Sequence, residues 1–250
     1  MWTHNINPTL LSLGPFEVRF YGLVFVLGFL TLYFILKKKK ESLGINNKQI
    51  DDFLFYAFIG MIVGARVFHV FVWEPGYYLS HLGEILKIWK GGLSFHGGLV
   101  GGVLAGYWFC RKHSVSIAKM ADLVVLPAAF FLALGRIANF INGELWGTVT
   151  NVNWCVVFPN AEGCRHPSQL YAAFTRFVIF GVLYVIDRKE HKDGYLAWWF
   201  VILMGLGRIG VDFFRENARF LFLSMGQWLS VVMVVVGIWA LRKYYGKRVD

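Results

Sequence analysis

The sequence predicts an all-α polytopic membrane protein of about seven transmembrane helices. Hydrophobic residues make up 57% of the chain and charged residues only 16%, a balance typical of proteins that lie in lipid. Several hydrophobic runs reach the roughly 20 residues that a helix needs to cross the hydrocarbon core of a bilayer. Basic residues crowd alternate ends of these runs, which is the positive-inside pattern. The net charge of +10 therefore indicates membrane topology, and we do not expect a nucleic acid partner.

The runs follow one another without a long linker, and we expect one membrane-embedded domain over residues 1–250. The spans are predicted at about 18–36, 52–73, 93–110, 121–141, 168–187, 195–214 and 226–243. Basic clusters follow the first, third, fifth and seventh spans, at Lys37–Lys40, Arg111–Lys112, Arg188–Lys189 and Arg242–Lys243. Because basic loops stay on the inner side, we expect the N-terminus outside and the C-terminus in the cytoplasm.

Two connections on the predicted outer side are expected to be ordered, a small periplasmic arm at about 74–92 and a cap at about 142–167. Both contain tryptophan, and aromatic residues of this kind favour the membrane interface. Cys155 and Cys164 share the cap, where oxidation is possible outside the cytoplasm. The sequence leaves their pairing open, because a disulfide depends on geometry that the sequence does not contain.

The stretch Gly135–Gly147 ends the fourth span and carries Arg136, Asn139, Asn142 and Glu144. A charge at bilayer depth costs at least about 2.5–3.5 kcal/mol on insertion scales, so such residues indicate function by default. Arg136, Asn139 and Gly143 fall on one narrow helical stripe, with Asn142 at its edge. This face presents guanidinium and amide donors to an anion. The alternative is a structural polar patch between packed helices.

His96 marks a second polar point, at the mouth of the glycine-rich third span. Small residues recur four apart along this span and also at Gly60 and Gly64 in the second, a spacing that lets membrane helices approach closely. A neutral imidazole accepts a proton near neutral pH, so His96 is a candidate for proton transfer. The alternative is a histidine that only hydrogen-bonds a neighbouring helix.

The sixth span carries Arg208, Asp212 and Arg215 on one helix face, at positions i, i+4 and i+7. A pair between Arg208 and Asp212 would lower the cost of insertion and orient the guanidinium, either for a substrate or only to hold two helices together. We expect Arg215 to extend to the headgroup layer. Tyr21 is either an interfacial anchor or a site hydroxyl, and Arg66 is expected to be structural.

Taken together, these segments resemble the prolipoprotein diacylglyceryl transferase family of bacterial inner membranes. The resemblance covers nearly the whole chain and rests on Tyr21–Gly22, Ser94–Leu99, Gly135–Gly147, His166–Tyr171, Gly207–Arg208, Phe213–Arg215 and Ser224–Gln227. It implies transfer of the sn-1,2-diacylglyceryl group of phosphatidylglycerol to the lipobox cysteine of a preprolipoprotein, with release of glycerol 1-phosphate. It implies no metal and no cofactor, membrane lipids as surroundings, and an active site towards the outer leaflet.

The resemblance also implies roles for individual residues. The expected catalytic set is Tyr21, His96, Arg136, Glu144 and Arg208, and the expected phosphatidylglycerol-binding set is Arg136, Asn139, Asn142, Arg208 and Asp212. Whether His96 takes the thiol proton or only orients the substrate stays open. The chain departs from the family at Met204, where a tyrosine is usual, at Asp212, where glutamate is usual, and at Ala138, where glycine is usual.

Two other classes of protein compete with this hypothesis. A non-catalytic lipid-binding or lipid-translocating protein also needs arginines near headgroup depth, but it does not need His96 beside them. An intramembrane protease needs a serine–histidine or paired-aspartate arrangement. Asp122 and Asp212 do not stand in matching motifs, and Ser94 next to His96 lacks the context of a nucleophile.

Overall fold

The computed structural model describes residues 2–13 and 16–246, which are mainly helical. The helices are α1 Phe20–Leu43, α2 Asn47–Phe68, α3 Pro75–Ser80, α4 Phe95–Lys112, α5 Ile117–Ile141, α6 Ser168–Asp187, α7 Tyr195–Asp212 and α8 Met225–Tyr245. A π-helical turn, His69–Trp73, extends α2. Within the described ranges, six helices are long and apolar enough to cross a membrane: α1, α2 with its extension, and α5 to α8. The predicted all-α polytopic fold is confirmed.

The third predicted span corresponds to α4, which is not among those six helices. Its 18 residues include five glycines and end on Arg111 and Lys112, and these residues lower its mean hydropathy. The count of seven spans therefore stays a prediction, as does the orientation of the two termini.

The observed helices extend past the predicted apolar runs. α1 continues through the four lysines to Leu43, because lysine is a good helix former although it is not apolar. α2 begins at Asn47, since Asn46 and Gln49 form a capping box: the Asn46 side chain accepts from the Gln49 backbone N–H at 2.9 Å, and the Gln49 side chain accepts from the Asn46 N–H at 2.8 Å. Hydropathy alone does not detect such caps.

The chain divides into two compact units, which are described separately: Tyr33–Met120, and Met1–Leu32 with Ala121–Asp250. The single-domain organisation stays a prediction. In the unit Tyr33–Met120, α2 packs against α4 through glycines. A Cβ added at Gly60 would lie 2.7 Å from the Gly101 carbonyl oxygen and 2.7 Å from the Ala105 Cβ. The close approach predicted from the spacing of small residues is confirmed.

The arm in the same unit consists of α3 and two short 3-10 helices, Leu82–Glu84 and Ile88–Lys90. Arg66, at the end of α2, holds it in place. Its guanidinium donates to four backbone carbonyls at 2.6–2.9 Å, those of Glu84, Ile85, Gly91 and Gly92. It also lies 4.9 Å from the centre of the Tyr78 ring. The structure thus gives Arg66 the structural role that we expected.

The larger unit contains a hydrophobic core between α5, α6 and α7, formed by Ala129, Ile179, Leu183 and Leu196. Met204 packs against this core. A thioether side chain adapts to irregular apolar space, so Met204 serves packing at this point.

The cap of the larger unit contains a small sheet in the order β1 Trp2–Thr3, β4 Val156–Val157 and β5 Cys164–Arg165. β1 runs parallel to β4, and β5 runs antiparallel to it. Cys155 and Cys164, whose Cα atoms are 5.5 Å apart, form the disulfide that the sequence left open. Two hairpins complete the strands: β2 Thr9–Leu13 with β3 Phe16–Arg19, and β6 Arg219–Phe220 with β7 Leu223–Ser224.

Candidate functional site

A small cavity lies in the larger unit and is lined by arginines from three helices. Arg136 comes from α5, Arg176 from α6 and Arg208 from α7, while Arg215 follows the end of α7. The carboxylate that lines the cavity with them is that of Asp212. Four guanidiniums and one carboxylate carry a net charge of +3, so the groups repel one another until an anion enters. The same charges repel a metal cation.

The end of α5 positions Arg136 through a chain of hydrogen bonds. The Arg136 Nη1 donates to the Asn139 Oδ1 at 3.2 Å, and the Asn139 Nδ2 donates to the Glu144 Oε1 at 2.7 Å. Asn142 donates to the same carboxylate oxygen at 3.2 Å. The chain turns back after α5 at Gly143, whose φ of +66° is costly for a residue with a side chain. The predicted helical stripe therefore holds for Arg136 and Asn139, whereas α5 ends at Ile141, so Asn142 and Gly143 lie in the turn after the helix.

The first turn of α6 fixes the loop that carries Glu144. The Gln169 Nε2 donates to the Glu144 carbonyl at 2.6 Å, and the Ser168 Oγ donates to the Leu145 carbonyl at 3.0 Å. Leu145 has a φ of +59°, a left-handed conformation that costs on the order of 1–3 kcal/mol for a residue with a branched side chain. Ser168 and Gln169 are almost fully buried, so these two bonds compensate the strain where water does not compete.

Asp212 organises the arginines that come from α7. Its Oδ2 lies 3.7 Å from the Arg208 Nε and accepts from the Ser224 Oγ at 2.9 Å, and its Oδ1 lies 4.0 Å from the Arg215 Nη1. The predicted pairing of Arg208 with Asp212 is confirmed. One carboxylate shared by two arginines leaves both incompletely neutralised, and the buried Arg208 Nε has no hydrogen-bond partner among the described residues.

Gly226 provides the space for this arrangement at the start of α8. A Cβ at Gly226 would lie 2.6 Å from the Arg208 Nη2 and 2.7 Å from the Asp212 Oδ2. A capping box between Ser224 and Gln227 starts the helix at this point. The motif Ser224–Gln227 therefore leaves room for the ion pair between Arg208 and Asp212.

Arg215 lines the cavity beside Arg208, and its extension to the headgroup layer stays a prediction. Gly147 and Arg215 form an isolated β-bridge, which fixes its backbone against the cap. Burial lowers the pKa of the Arg215 guanidinium from its ordinary value, and the Asp212 carboxylate opposes that shift. Arginine has so high an ordinary pKa that Arg215 stays charged at neutral pH.

Arg176 is the residue of the cavity that our sequence interpretation missed. It lies inside a span that is otherwise apolar and stands in no motif we used. Only 9% of it is exposed, and its Nη1 donates to the Ala172 carbonyl at 2.9 Å. The sequence offered one indication of its importance, its position inside a membrane span, because an arginine there is a functional candidate by default.

Tyr21 and His96 complete the predicted set, in different units. Tyr21, near the start of α1, is half-buried and interacts electrostatically with Arg136 and Glu144, and its role in the site stays a prediction. His96 lies in the first turn of α4, where the Ser94 side chain caps the helix, and its ring centre is 6.4 Å from that of Phe68. An action of His96 beside the arginines stays a prediction.

Comparison with known proteins agrees with these motifs. The family model described as prolipoprotein diacylglyceryl transferase matches residues 8–242. A phosphatidylglycerol–prolipoprotein diacylglyceryl transferase of Geobacter sulfurreducens is 40% identical over 243 residues, which cover 94% of this chain and 94% of the relative. One of Nitrosomonas europaea is 42% identical over 257 residues, which cover 96% and 92%. The chain therefore belongs to the prolipoprotein diacylglyceryl transferase family.

Proposed function

We propose that this chain transfers the sn-1,2-diacylglyceryl group of phosphatidylglycerol to the lipobox cysteine thiol of preprolipoproteins and releases glycerol 1-phosphate. The observation that carries the proposal is the cavity with four arginines and one carboxylate, which suits a phosphate ester. Relatives that align over more than nine-tenths of this chain are named for this reaction. The chain is thus an enzyme of the bacterial membrane that acts on lipid and protein substrates.

In the reaction, the cysteine sulfur attacks the carbon of the diacylglyceryl group that bears the phosphate. A carbon–sulfur bond forms, the carbon–oxygen bond breaks, and its electron pair leaves with the phosphate. Arg136 and Arg208 hold that phosphate, so the charge that develops on the leaving oxygen meets preorganised donors. Fixed donors cost little reorganisation at the moment of bond breaking, and this is the main source of the rate enhancement.

The remaining polar residues keep those guanidiniums in position. Glu144 orients Asn139, which in turn accepts from Arg136, and Asn142 joins the same carboxylate. Asp212 orients the Arg208 guanidinium through the ion pair between them. The Tyr21 hydroxyl lies within electrostatic range of Arg136 and Glu144, and it contacts the glycerol headgroup in the proposed complex.

The thiol must lose its proton before it attacks, since the thiolate is the nucleophile and a free cysteine has a pKa of about 8.5. We assign this step to the neighbourhood of His96, which either accepts the proton or orients the thiol. General-base or orienting help of this kind typically contributes about 10²–10⁴-fold to the rate.

The enzyme is proposed to lie in the bacterial inner membrane, with the active site towards the outer leaflet and the C-terminus in the cytoplasm. The distribution of basic residues supports this orientation. A cysteine introduced at Gly76 is then expected to react from outside with a membrane-impermeant thiol reagent, and one at Ser42 is not. The reverse labelling pattern would place the site on the other leaflet.

The experiment that tests the function uses the purified protein, phosphatidylglycerol and a synthetic lipobox peptide. We expect the peptide to gain the mass of one diacylglyceryl group while glycerol 1-phosphate appears in equal amount. A peptide with serine in place of the lipobox cysteine is the control and should stay unmodified. Lipid binding without any mass change would instead favour the non-catalytic lipid-binding alternative.

Two variants separate binding from chemistry. His96→Gln should bind phosphatidylglycerol nearly as the parent does, because the phosphate clamp is intact, but it should lose most thioether formation. Arg208→Ala should weaken both lipid binding and turnover, because it removes a contact that exists already in the ground state. Normal transfer by His96→Gln would show that His96 only packs against its neighbours.

A further inference from the structure

Arg176 is a cavity arginine that the proposed mechanism does not use. It lies in the third turn of α6, more than nine-tenths buried, and it lines the cavity with Arg136 and Arg208. Its Nε is buried without a hydrogen-bond partner among the described residues. It forms no ion pair with a carboxylate in that part of the chain. The opposite charge that acts on it is that of Asp212, which already pairs with two other arginines.

The contacts of Arg176 do not explain it as a structural residue. Its hydrogen bond goes to Ala172, one turn earlier in its own helix, so it ties no second element to α6. This differs from Arg66, whose guanidinium holds four backbone carbonyls of the arm. Arg176 also experiences the repulsion of Arg136, Arg208 and Arg215. A buried cation in this position needs an anion that the chain itself does not supply.

The negative charge of the reacting phosphate increases during the reaction, and this increase can balance the unpaired positive charge of Arg176. The phosphate of phosphatidylglycerol is a diester and carries one negative charge. When the carbon–oxygen bond breaks, the electron pair stays on the phosphate, and glycerol 1-phosphate leaves as a monoester with a second pKa of about 6. The leaving group is therefore largely a dianion at neutral pH. An interaction that strengthens as charge develops accelerates the chemical step, whereas one equal in both states does not.

We propose that Arg176 binds the phosphate of the leaving glycerol 1-phosphate and stabilises the second negative charge that develops on it. The inference rests on the proposed function and extends it. The arginines of the cavity then differ in role. Arg136 and Arg208 hold the monoanionic phosphate of phosphatidylglycerol, while Arg176 interacts mainly with the dianionic phosphate of glycerol 1-phosphate. The thiol has lost its proton before it attacks, so the one negative charge of the thiolate and the one of the diester together become the two negative charges of the leaving phosphate.

The test compares Arg176→Gln with the parent enzyme in three measurements: kcat, KM for phosphatidylglycerol, and the dissociation constant of glycerol 1-phosphate measured by calorimetry. We expect kcat to fall roughly ten- to a hundredfold, because a charge-assisted hydrogen bond to the leaving group is lost. Glycerol 1-phosphate should bind more weakly by a similar factor. KM for phosphatidylglycerol should change less than about threefold, and Arg176→Lys should recover part of the loss.

The pH dependence of product binding distinguishes this role from a structural one. In the parent, glycerol 1-phosphate should bind more tightly as the pH rises from about 5 to about 7.5, because its second proton leaves near pH 6. In Arg176→Gln this increase should be much smaller. Arg188→Gln is the matched control, since Arg188 follows the same helix and pairs with the Tyr184 hydroxyl outside the cavity; it should behave as the parent.

Equal affinity of the parent and Arg176→Gln for glycerol 1-phosphate would overturn the proposal. So would an equal loss in kcat, lipid affinity and product affinity together with a lower melting temperature, which indicates a packing defect. Should Arg176→Gln not fold, the same binding comparison is made with Arg176→Met, which keeps an unbranched apolar side chain but removes the charge; affinity and pH dependence equal to those of the parent would overturn the proposal. Calorimetry needs no turnover, so a parent that forms no thioether would contradict the proposed function while the binding comparison still decides the role of Arg176.

Discussion

The hydrogen bonds of Glu144 make it the most informative residue to remove, because it pairs with no arginine among the described residues and yet holds Arg136 in place through Asn139. In Glu144→Ala, the Asn139 amide loses its acceptor at 2.7 Å and the Asn142 amide loses the same oxygen at 3.2 Å. Asn139 is buried, so its amide gains little from water in exchange. Once free to rotate, it no longer presents its oxygen to Arg136.

The expected loss follows from the charged hydrogen bond between Asn139 and Glu144. A hydrogen bond to a charged group contributes about 1.5–3 kcal/mol, and each 1.36 kcal/mol in the barrier is tenfold in rate. We therefore expect kcat/KM of Glu144→Ala to fall roughly tenfold to a hundredfold. Glu144→Gln keeps an oxygen acceptor without the charge, so it should lose less than about tenfold.

The assay is the transfer of the diacylglyceryl group to a lipobox peptide, measured with and without saturating phosphatidylglycerol. Glu162→Ala is the matched control, because Glu162 is an exposed glutamate of the same cap whose backbone carbonyl alone accepts a hydrogen bond, from Arg165. The control should keep full activity. If Glu144→Ala transfers within about twofold of the parent, the positioning of Arg136 through Asn139 is refuted.

Three further predictions concern the clamp, the cap and the arm. Arg136→Lys should lose about a hundredfold in transfer while staying folded and inserted, because lysine lacks the planar fork that binds phosphate through two nitrogens; activity within twofold would contradict the clamp. Cys155→Ser with Cys164→Ser opens a disulfide between residues nine apart and should lower the stability of the cap by about 2–3 kcal/mol, seen as earlier proteolysis of this loop under conditions that leave the parent intact. The lysines beside Glu84 hold its carboxyl pKa at about 2, so its stabilising contribution should persist from neutral pH to about 4.5 and disappear as the pH falls from there towards 2. A carboxyl NMR titration with a midpoint near 4.5 would contradict the last of these.

The sequence predicted the helices well, because each span is a continuous apolar run and hydropathy detects such runs directly. The ends of the helices were less predictable, since they depend on local contacts. The capping box of Asn46 starts α2 before its apolar run begins, and α1 continues through charged lysines. The glycine spacing in α2 and α4 predicted their close contact, because small residues four apart lie on one helical face.

The residues of the candidate site also include some that the sequence predicted and some that it did not. The stripe of Arg136 and Asn139 was predictable, because helical periodicity places both on one face of a single helix. The part played by Gly226 was not, because it depends on the approach of α8 to a side chain of α7. Arg176 was missed for a related reason: it lies alone in an apolar run, and the other arginines of the cavity come from other parts of the chain. Contacts between helices that are distant in sequence produce no periodic pattern of residues, so the sequence does not reveal them.

The measurement that tests the account most directly is the distance between the phosphorus of bound phosphatidylglycerol and the guanidinium nitrogens of the enzyme. Solid-state NMR in lipid nanodiscs, with ¹⁵N-labelled arginine and the natural ³¹P of the lipid, reports this distance. We predict phosphorus–nitrogen contacts of about 4–5 Å that disappear in Arg136→Gln and in Arg208→Ala and persist in Arg188→Gln. Contacts that survive both cavity variants unchanged would place the phosphate elsewhere and contradict the proposed site.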